Sequence, residues 1–482
     1  MSTTEPRCDV LITNGLVFDG TGAVGVVSDI AITGDRVVAL GALSAWNAQQ
    51  RIDASGLAVA PGFIDAHTHD DRAVLSSPDM AAKVSQGVTS VIAGNCGISL
   101  APLAGKKPPP PLNLLGDQEW FRFASMAEYL GAVEAAPAAV NIAMLVGHST
   151  LRVGAMERLD RGASAAEIEH MGLVLDESMA AGCIGLSTGL AYPTAIAAPT
   201  EEVVALTARA ARHGGLYATH MRDEENHVTD SVDETVDIGA RAKARVVISH
   251  HKACGRANWG RTRDTLAQID AANAAGQTVD LDVYPYIASS TVLLAQFVAR
   301  AEKVLVTWST PHPELRGQDL EDIRARWDCS LDDAIERLLP AGAIYFQMDE
   351  GDLRRVLSHP GSMVGSDGLP HDEHPHPRLW GTFARVLGHY VREVGLFNLE
   401  TAIHKMTGLS ARVFGLTDRG VLRPGAFADV VLFNPLTVLD AGDFDNPAVP
   451  SHGIEQVFVN GAVVWHQGKT TGNRPGRVLR RA

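Results

Sequence analysis

Eight short apolar runs recur between residues 63 and 367, separated by longer stretches, and no other feature restricts the fold of this chain so tightly. They are Phe63–His69, Thr89–Gly94, Asn141–His148, Gly182–Ser187, Gly215–Met221, Ala244–Lys252, Thr278–Tyr286 and Ser362–Asp367. Between several of them the pattern is amphipathic and helical, as in Ala165–Ala181, Glu201–His213 and Thr229–Ala242. The last of these is acidic early and basic late, the order a helix dipole prefers. Strands that alternate with helices pair in parallel, so eight such units predict an α/β fold, a (β/α)8 TIM-like barrel over residues 62–414. A doubly wound open sheet is the alternative, but no Gly-x-Gly-x-x-Gly follows a strand.

The flanks have a different rhythm. From Val10 to about Ala60 short β runs meet Asn14-Gly15, Asp19-Gly20 and Thr33-Gly34-Asp35, residues that tolerate positive φ and predict hairpins. The β pattern returns at Gly420–Phe433 and at Ile454–Val464, which contains Asn460-Gly461. Residues 1–61 and 415–482 are therefore expected to form one small β domain beside the barrel. Two insertions interrupt the barrel. Ala101–Gly116 carries consecutive prolines from Pro108 to Pro111 and reads as an extended loop. Residues from about 287 to 361, after the seventh strand, are too many for one connecting helix and predict a lid subdomain. Within it, Ser330-Leu-Asp-Asp333 caps a helix that stops at Pro340. The basic, glycine-rich tail Gly468–Ala482 reads as a peripheral arm.

Composition narrows the partners. A net charge of −15 opposes binding to nucleic acid or anionic membrane, and no apolar run is long enough to span a bilayer. No signal peptide is visible, and Cys8, Cys96, Cys183, Cys254 and Cys329 are scattered, which fits a reducing cytoplasm.

Barrel strands deliver polar residues to one spot at their C-terminal ends. Those ends carry His67 and His69, Cys96, His148, His220, His250 with Lys252, Tyr284, and Asp367. His67 and His69 are two apart on a strand and project to the same side, a suitable grip on a divalent metal. Any one of these residues is commonplace; the set is costly to explain as packing. By contrast His371-Asp-Glu-His-Pro-His376 lies on a loop and is read as a polar mouth, and Cys183 as core. His251 should turn away from His250 and leave the barrel interior.

The chain resembles the amidohydrolase superfamily, and within it the N-acyl-D-amino-acid deacylase (D-aminoacylase) family, over nearly its whole length. The broad likeness lies in Asp65-Ala-His-Thr-His69, His220, His250 and Asp367. The closer one lies in Gly94-Asn-Cys-Gly-Ile-Ser99, Gly147-His-Ser149, Ser187–Pro193, Thr219–Glu224, Tyr284-Pro-Tyr286 and Gly365-Ser-Asp-Gly368. The resemblance implies zinc-dependent hydrolysis of small N-acyl-D-amino acids. It implies a tight zinc on Cys96, His220 and His250, and a second position, often weak or empty, on His67, His69 and Asp367. Many superfamily members use a carbamylated lysine where Cys96 stands. It further implies Asp367 as general base and then acid, Tyr192 as an oxyanion donor, and Lys252, Tyr284 and Arg378 as the grip on the substrate carboxylate; His148 is similar to a histidine at the family's site mouth. Relatives that prefer acidic D-amino acids carry a basic residue soon after the Tyr-Pro-Tyr strand, where this chain has Leu293, Leu294 and Ala295. Neutral or apolar side chains are therefore expected.

A cyclic-amide hydrolase of the dihydropyrimidinase or dihydroorotase type is the rival enzyme, and Cys96 argues against it. A metal-free scaffold relative is the rival from another class; the full set of histidines and Asp367 argues against that. The sequence leaves open how many chains associate.

Overall fold

The computed structural model describes residues 6–481. Its barrel strands are β1 (Phe63–Asp65), β2 (Val88–Ala93), β3 (Asn141–Gly147), β4 (Gly185–Gly189), β5 (Leu216–His220), β6 (Val246–Ile248), β7 (Val279–Val283) and β8 (Ser362–Val364). Each lies parallel to the next, in the order β8-β7-β6-β5-β4-β3-β2-β1. The ring closes where the Ala66 amide donates to Val364 O at 3.2 Å and the Asp367 amide to His67 O at 2.8 Å.

Period-two alternation sorts the strand residues. Ile64, Ile92, Leu145, Ile184, Leu216, Val247 and Met363 form one buried inner cluster. Their neighbours Phe63, Val91, Val146 and Leu186 pack outward with the helices in the main core. Leu409 and Phe414 join the inner cluster, as does Leu479 of the tail. The Leu479 amide donates to Ile142 O at 2.7 Å, and the Arg477 amide to Asn141 Oδ1 at 3.1 Å. The tail is thus laid along the start of β3 and closes the barrel floor, where the sequence suggested a peripheral arm. Its apolar Val478 and Leu479 supply the burial that a free arm would lack.

The small β domain is one sheet drawn from both ends of the chain. Arg7–Val17 pairs with Val26–Thr33 on one side and with Asn47–Asp53 and Ala58–Pro61 on the other. Ala58–Pro61 then pairs antiparallel with Val430–Phe433, which continues to Ile454–Val459 and Ala462–His466. Asn460 (φ 48°) and Gly461 (φ 79°) make the two-residue hairpin loop that the sequence predicts. Asn14-Gly15 does not. Arg7–Val17 runs straight through it with a register shift between Ile12 and Gly15, because positive φ at Asn14 (60°) serves a β-bulge as well as a turn.

The insertion after β7 builds an antiparallel sheet in which Ala341–Phe346 lies between Ala288–Val292 and Lys303–Ser309. Two helices, Leu320–Trp327 and Leu331–Leu338, follow the edge strand Lys303–Ser309, the second capped by Ser330 Oγ accepting from the Asp333 amide at 3.1 Å. Helix Glu350–Ser358, also in the expected insertion, instead packs on β7 and β8 as a barrel helix.

Candidate metal centre

Backbone geometry at the strand ends aims the side chains. Cys96, His250 and Asp367 have positive φ (52°, 36° and 48°), so each chain segment kinks sharply as it leaves β2, β6 and β8. Around Cys96 the kink requires glycine: a Cβ on Gly94 would meet Leu145 O at 2.1 Å, and one on Gly97 the Gly189 amide nitrogen at 2.6 Å. The result is a crowded buried cluster. Cys96 Sγ lies 3.2 Å from His67 Nε2 and 3.3 Å from His250 Nε2. Asp367 Oδ1 lies 3.1 Å from His69 Nε2 and 3.4 Å from His67 Nε2.

Two overlapping donor sets result, Cys96 with His220 and His250, and Cys96 with His67, His69 and Asp367. Within each set one donor atom per residue lies within 4.8 Å of every other. Cys96 belongs to both. A thiol, four imidazoles and a carboxylate converging this closely fit a zinc-type centre by donor chemistry and spacing. The electrostatics agree. Burial would raise the Cys96 thiol, yet His67 and His250 hold it well below its ordinary value. Burial would likewise raise the Asp367 carboxyl, and Arg378 and His67 hold it far below the usual range. Burial would lower His69 and His250, but Asp367 and Cys96 for the first, Cys96 and Glu224 for the second, raise each to about 9. Two held anions beside His67, His69 and His250, which attract protons, make a cavity that stabilises positive charge, while burial lowers His220.

Outer partners fix the imidazoles. Asp282, buried in the middle of β7, takes His67 Nδ1 at 3.2 Å and the His250 amide at 2.8 Å. Glu224 lies 3.1 Å from His250 Nδ1 and 3.7 Å from His220 Nε2, and accepts from Lys252 Nζ at 2.7 Å. Such second partners orient metal-binding histidines. The sequence reading gave neither carboxylate a role.

The cavity over this cluster is lined by His69, Cys96, Tyr192, His220, His250, Lys252, Tyr284 and Asp367, together with Ile98, Leu114, Phe297, Arg300 and Leu369. Tyr192 OH is 2.9 Å from Thr291 Oγ1, and burial raises its phenol far above the ordinary value, so it remains a proton donor. Tyr284 lies between two cations, its ring centre 4.5 Å from Arg378 Cζ and 5.9 Å from Lys252 Nζ.

Several expected positions need correction. His148 does not line the cavity: β3 passes straight into helix His148–Ala155, which turns the imidazole to Glu202 Oε1 (2.9 Å) in a buried group with Arg152. Arg378 is fully buried one layer behind the cavity, with Nη1 2.9 Å from Asp367 Oδ2 and Nη2 donating to Ser290 O at 3.0 Å. Leu293, Leu294 and Ala295 do not line the cavity either, whereas Arg300, a basic residue, does. Arg300 is paired with Glu225 and donates to Gln347 Oε1 at 2.7 Å. The decoys behave as expected: His374 and His376 bond to backbone carbonyls of Phe444 and Ala288, and His251 meets Thr265 on a barrel helix.

Comparison with known proteins agrees with this geometry. The amidohydrolase family profile matches residues 50–307 and 322–465. A D-aminoacylase from Alcaligenes xylosoxydans xylosoxydans is 52% identical, over 98% of each chain. An N-acyl-D-aspartate deacylase of the same organism is 50% identical over 98% of this chain and 95% of its own. Among solved structures, an N-acyl-D-glutamate deacylase from Bordetella bronchiseptica, complexed with zinc and a phosphonate mimic of the tetrahedral intermediate, is 47% identical. It superposes with a TM-score of 0.94, covering 98% of this chain and 100% of that one.

Proposed function

Because the chain belongs to the amidohydrolase family, and within it to the N-acyl-D-amino-acid deacylases, we propose that it hydrolyses the amide bond of N-acyl-D-amino acids to a carboxylate and a free D-amino acid. The observation that carries this reading is the thiol, histidine and carboxylate cluster shared through Cys96. Cys96, His220 and His250 would hold the tight zinc, and His67, His69 and Asp367, sharing Cys96, would form the weaker second position. Bound there, zinc would acidify water and polarise the scissile carbonyl.

The protein's own groups do the rest. Asp367, kept ionised by Arg378 and positioned by His69, takes the proton of the attacking water and later delivers one to the leaving amine. Tyr192 donates to the developing oxyanion. Lys252 and Tyr284 receive the substrate carboxylate from the cavity wall, and Arg378, which does not line the cavity, backs them against the Tyr284 ring and Asp367. Removing a buried member of such a charge pair costs about 2 to 5 kcal/mol. Arg378→Ala is therefore expected to depress kcat/KM severely with zinc still bound. An equal loss on the amide-capped substrate would show that Arg378 acts only through Asp367.

Apolar side chains fit best, since Ile98, Leu114, Phe297 and Leu369 line the cavity and Glu225 neutralises Arg300. Arg300 supports the second reading, an acidic D-amino acid. A screen of N-acetyl derivatives of D- and L-leucine, methionine, phenylalanine, aspartate and glutamate tests both. The expected order is D-leucine above D-glutamate and no L turnover; faster D-glutamate would reverse the side-chain assignment.

The ligands stand at the rim of an apolar core that packs without them, so chelation is expected to abolish activity and leave the far-UV circular dichroism unchanged. Collapse of the helical signal would make the metal structural. The sheet inserted after β7 brings Phe297 and Arg300 over the centre. Such a cover excludes water and gates release, so a phosphonate substrate analogue is expected to protect residues 287–346 from proteolysis. No helix among the described residues is long and apolar enough to cross a membrane. The absence of any disulfide among them supports a reducing, cytoplasmic setting.

A further inference from the structure

Outside the metal centre lies a second and much larger cavity, about 850 Å³. That is the size of a small-molecule site. Loops from four places wall it: Arg72 follows β1, Pro108 to Pro110 follow β2, Trp308 stands on the inserted sheet, and His371 follows β8. It therefore opens on the same end of the barrel as the metal cluster. Leu114, from the turn after the prolines, lines both this cavity and the one over the cluster. It is the one residue common to both linings.

Two observations say which part of a substrate reaches that boundary. The inner cavity has only about 20 Å³ of free space, against about 850 Å³ in the outer one, so it does not hold an amino-acid side chain and a long acyl chain together. The strand order also sets a direction. Lys252 and Tyr284 follow β6 and β7, whereas Leu114 follows β2, on the far side of the closed ring. With the amino-acid carboxylate on Lys252 and Tyr284, the acyl end of the amide points at Leu114.

We propose that the outer cavity is an acyl-group subsite, and that the enzyme prefers elongated, uncharged acyl groups, medium-chain alkanoyl or arylalkanoyl, to acetyl. This rests on the deacylase reading given above. The walls suit such a chain. Leu114, the prolines and Trp308 offer rigid apolar surface, so little side-chain freedom is lost on binding. Among the lining residues Arg72 and Lys107 are met by three carboxylates, Asp117, Asp372 and Glu373, so no net positive charge selects an anionic chain end.

The test is kcat/KM for acetyl, octanoyl and 7-carboxyheptanoyl derivatives of whichever D-amino acid is turned over fastest. Octanoyl is expected to exceed acetyl by at least about tenfold, chiefly through a lower KM, because each further buried methylene adds discrimination. The carboxyheptanoyl compound should fall below octanoyl. Trp308→Ala, which removes a wall, and Leu114→Trp, which narrows the boundary, should each reduce the octanoyl-to-acetyl ratio. Should the Leu114 variant not fold, the Trp308 variant gives the same reading. Octanoyl no better than acetyl, or a ratio unmoved in the folded variants, overturns the subsite while leaving deacylation intact. A carboxyheptanoyl compound better than octanoyl overturns the uncharged-chain assignment. Failure of every N-acyl-D-amino acid, acetyl included, overturns the deacylase reading and the subsite with it.

Discussion

Replacing Cys96 by alanine is expected to release the tight zinc and reduce N-acyl-D-amino-acid hydrolysis to background. Losing an outer partner of a metal ligand already costs roughly 10- to 100-fold in affinity. Cys96 is an inner donor, and the only one common to both donor sets. No neighbour can move into its place. The thiol is carried on a left-handed residue between Gly94 and Gly97, each packed against backbone where a Cβ would clash. The gap left by Ala is faced by His67 and His250, whose other ring nitrogens are tied to Asp282 and Glu224. Zinc content by elemental analysis, measured beside turnover and melting temperature, checks this. A folded variant that keeps one zinc per chain would mean that Cys96 is a packing thiol.

Asp367→Asn should behave oppositely, keeping the tight zinc and losing about 10²- to 10⁴-fold in turnover, the range of general acid–base contributions. The amide retains an oxygen for His69 and nearly the same shape, so the cluster keeps its spacing. It cannot take the water's proton, and its NH₂ would face Arg378 Nη1, which now lies 2.9 Å from the carboxylate. Near-normal turnover with full metal would remove Asp367 from the proton path. The contrast between the two variants separates holding metal from moving protons.

Much of this was legible in the chain because barrels couple sequence position to place. A residue at the end of an apolar run arrives at the mouth, and that rule alone finds His67, His69, Cys96, His220, His250 and Asp367. The rule fails where the chain changes structure at the same residue. His148 ends β3 but begins a helix, so its side chain leaves in another direction, to Glu202. Asp282 could have been found: a carboxylate between Leu281 and Val283 in a buried strand is costly without a partner. Glu224 lay unremarked inside the Thr219–Glu224 motif. Arg300 gave no signal, since the inserted sheet follows no barrel periodicity. At Asn14-Gly15 the residues reported only positive φ, which a turn and a bulge share.

The sheet drawn from both ends of the chain also sets an order of events during synthesis. Ala58–Pro61 emerges early, but its antiparallel partner Val430–Phe433 emerges only after the whole barrel has been made. Until then one side of that strand has no neighbour, and an unpaired strand edge invites pairing with another chain. Contacts so distant in sequence form slowly, because loop closure must precede them. The nascent protein therefore carries this aggregation hazard until Val430–Phe433, made after the barrel, pairs with Ala58–Pro61 and removes it.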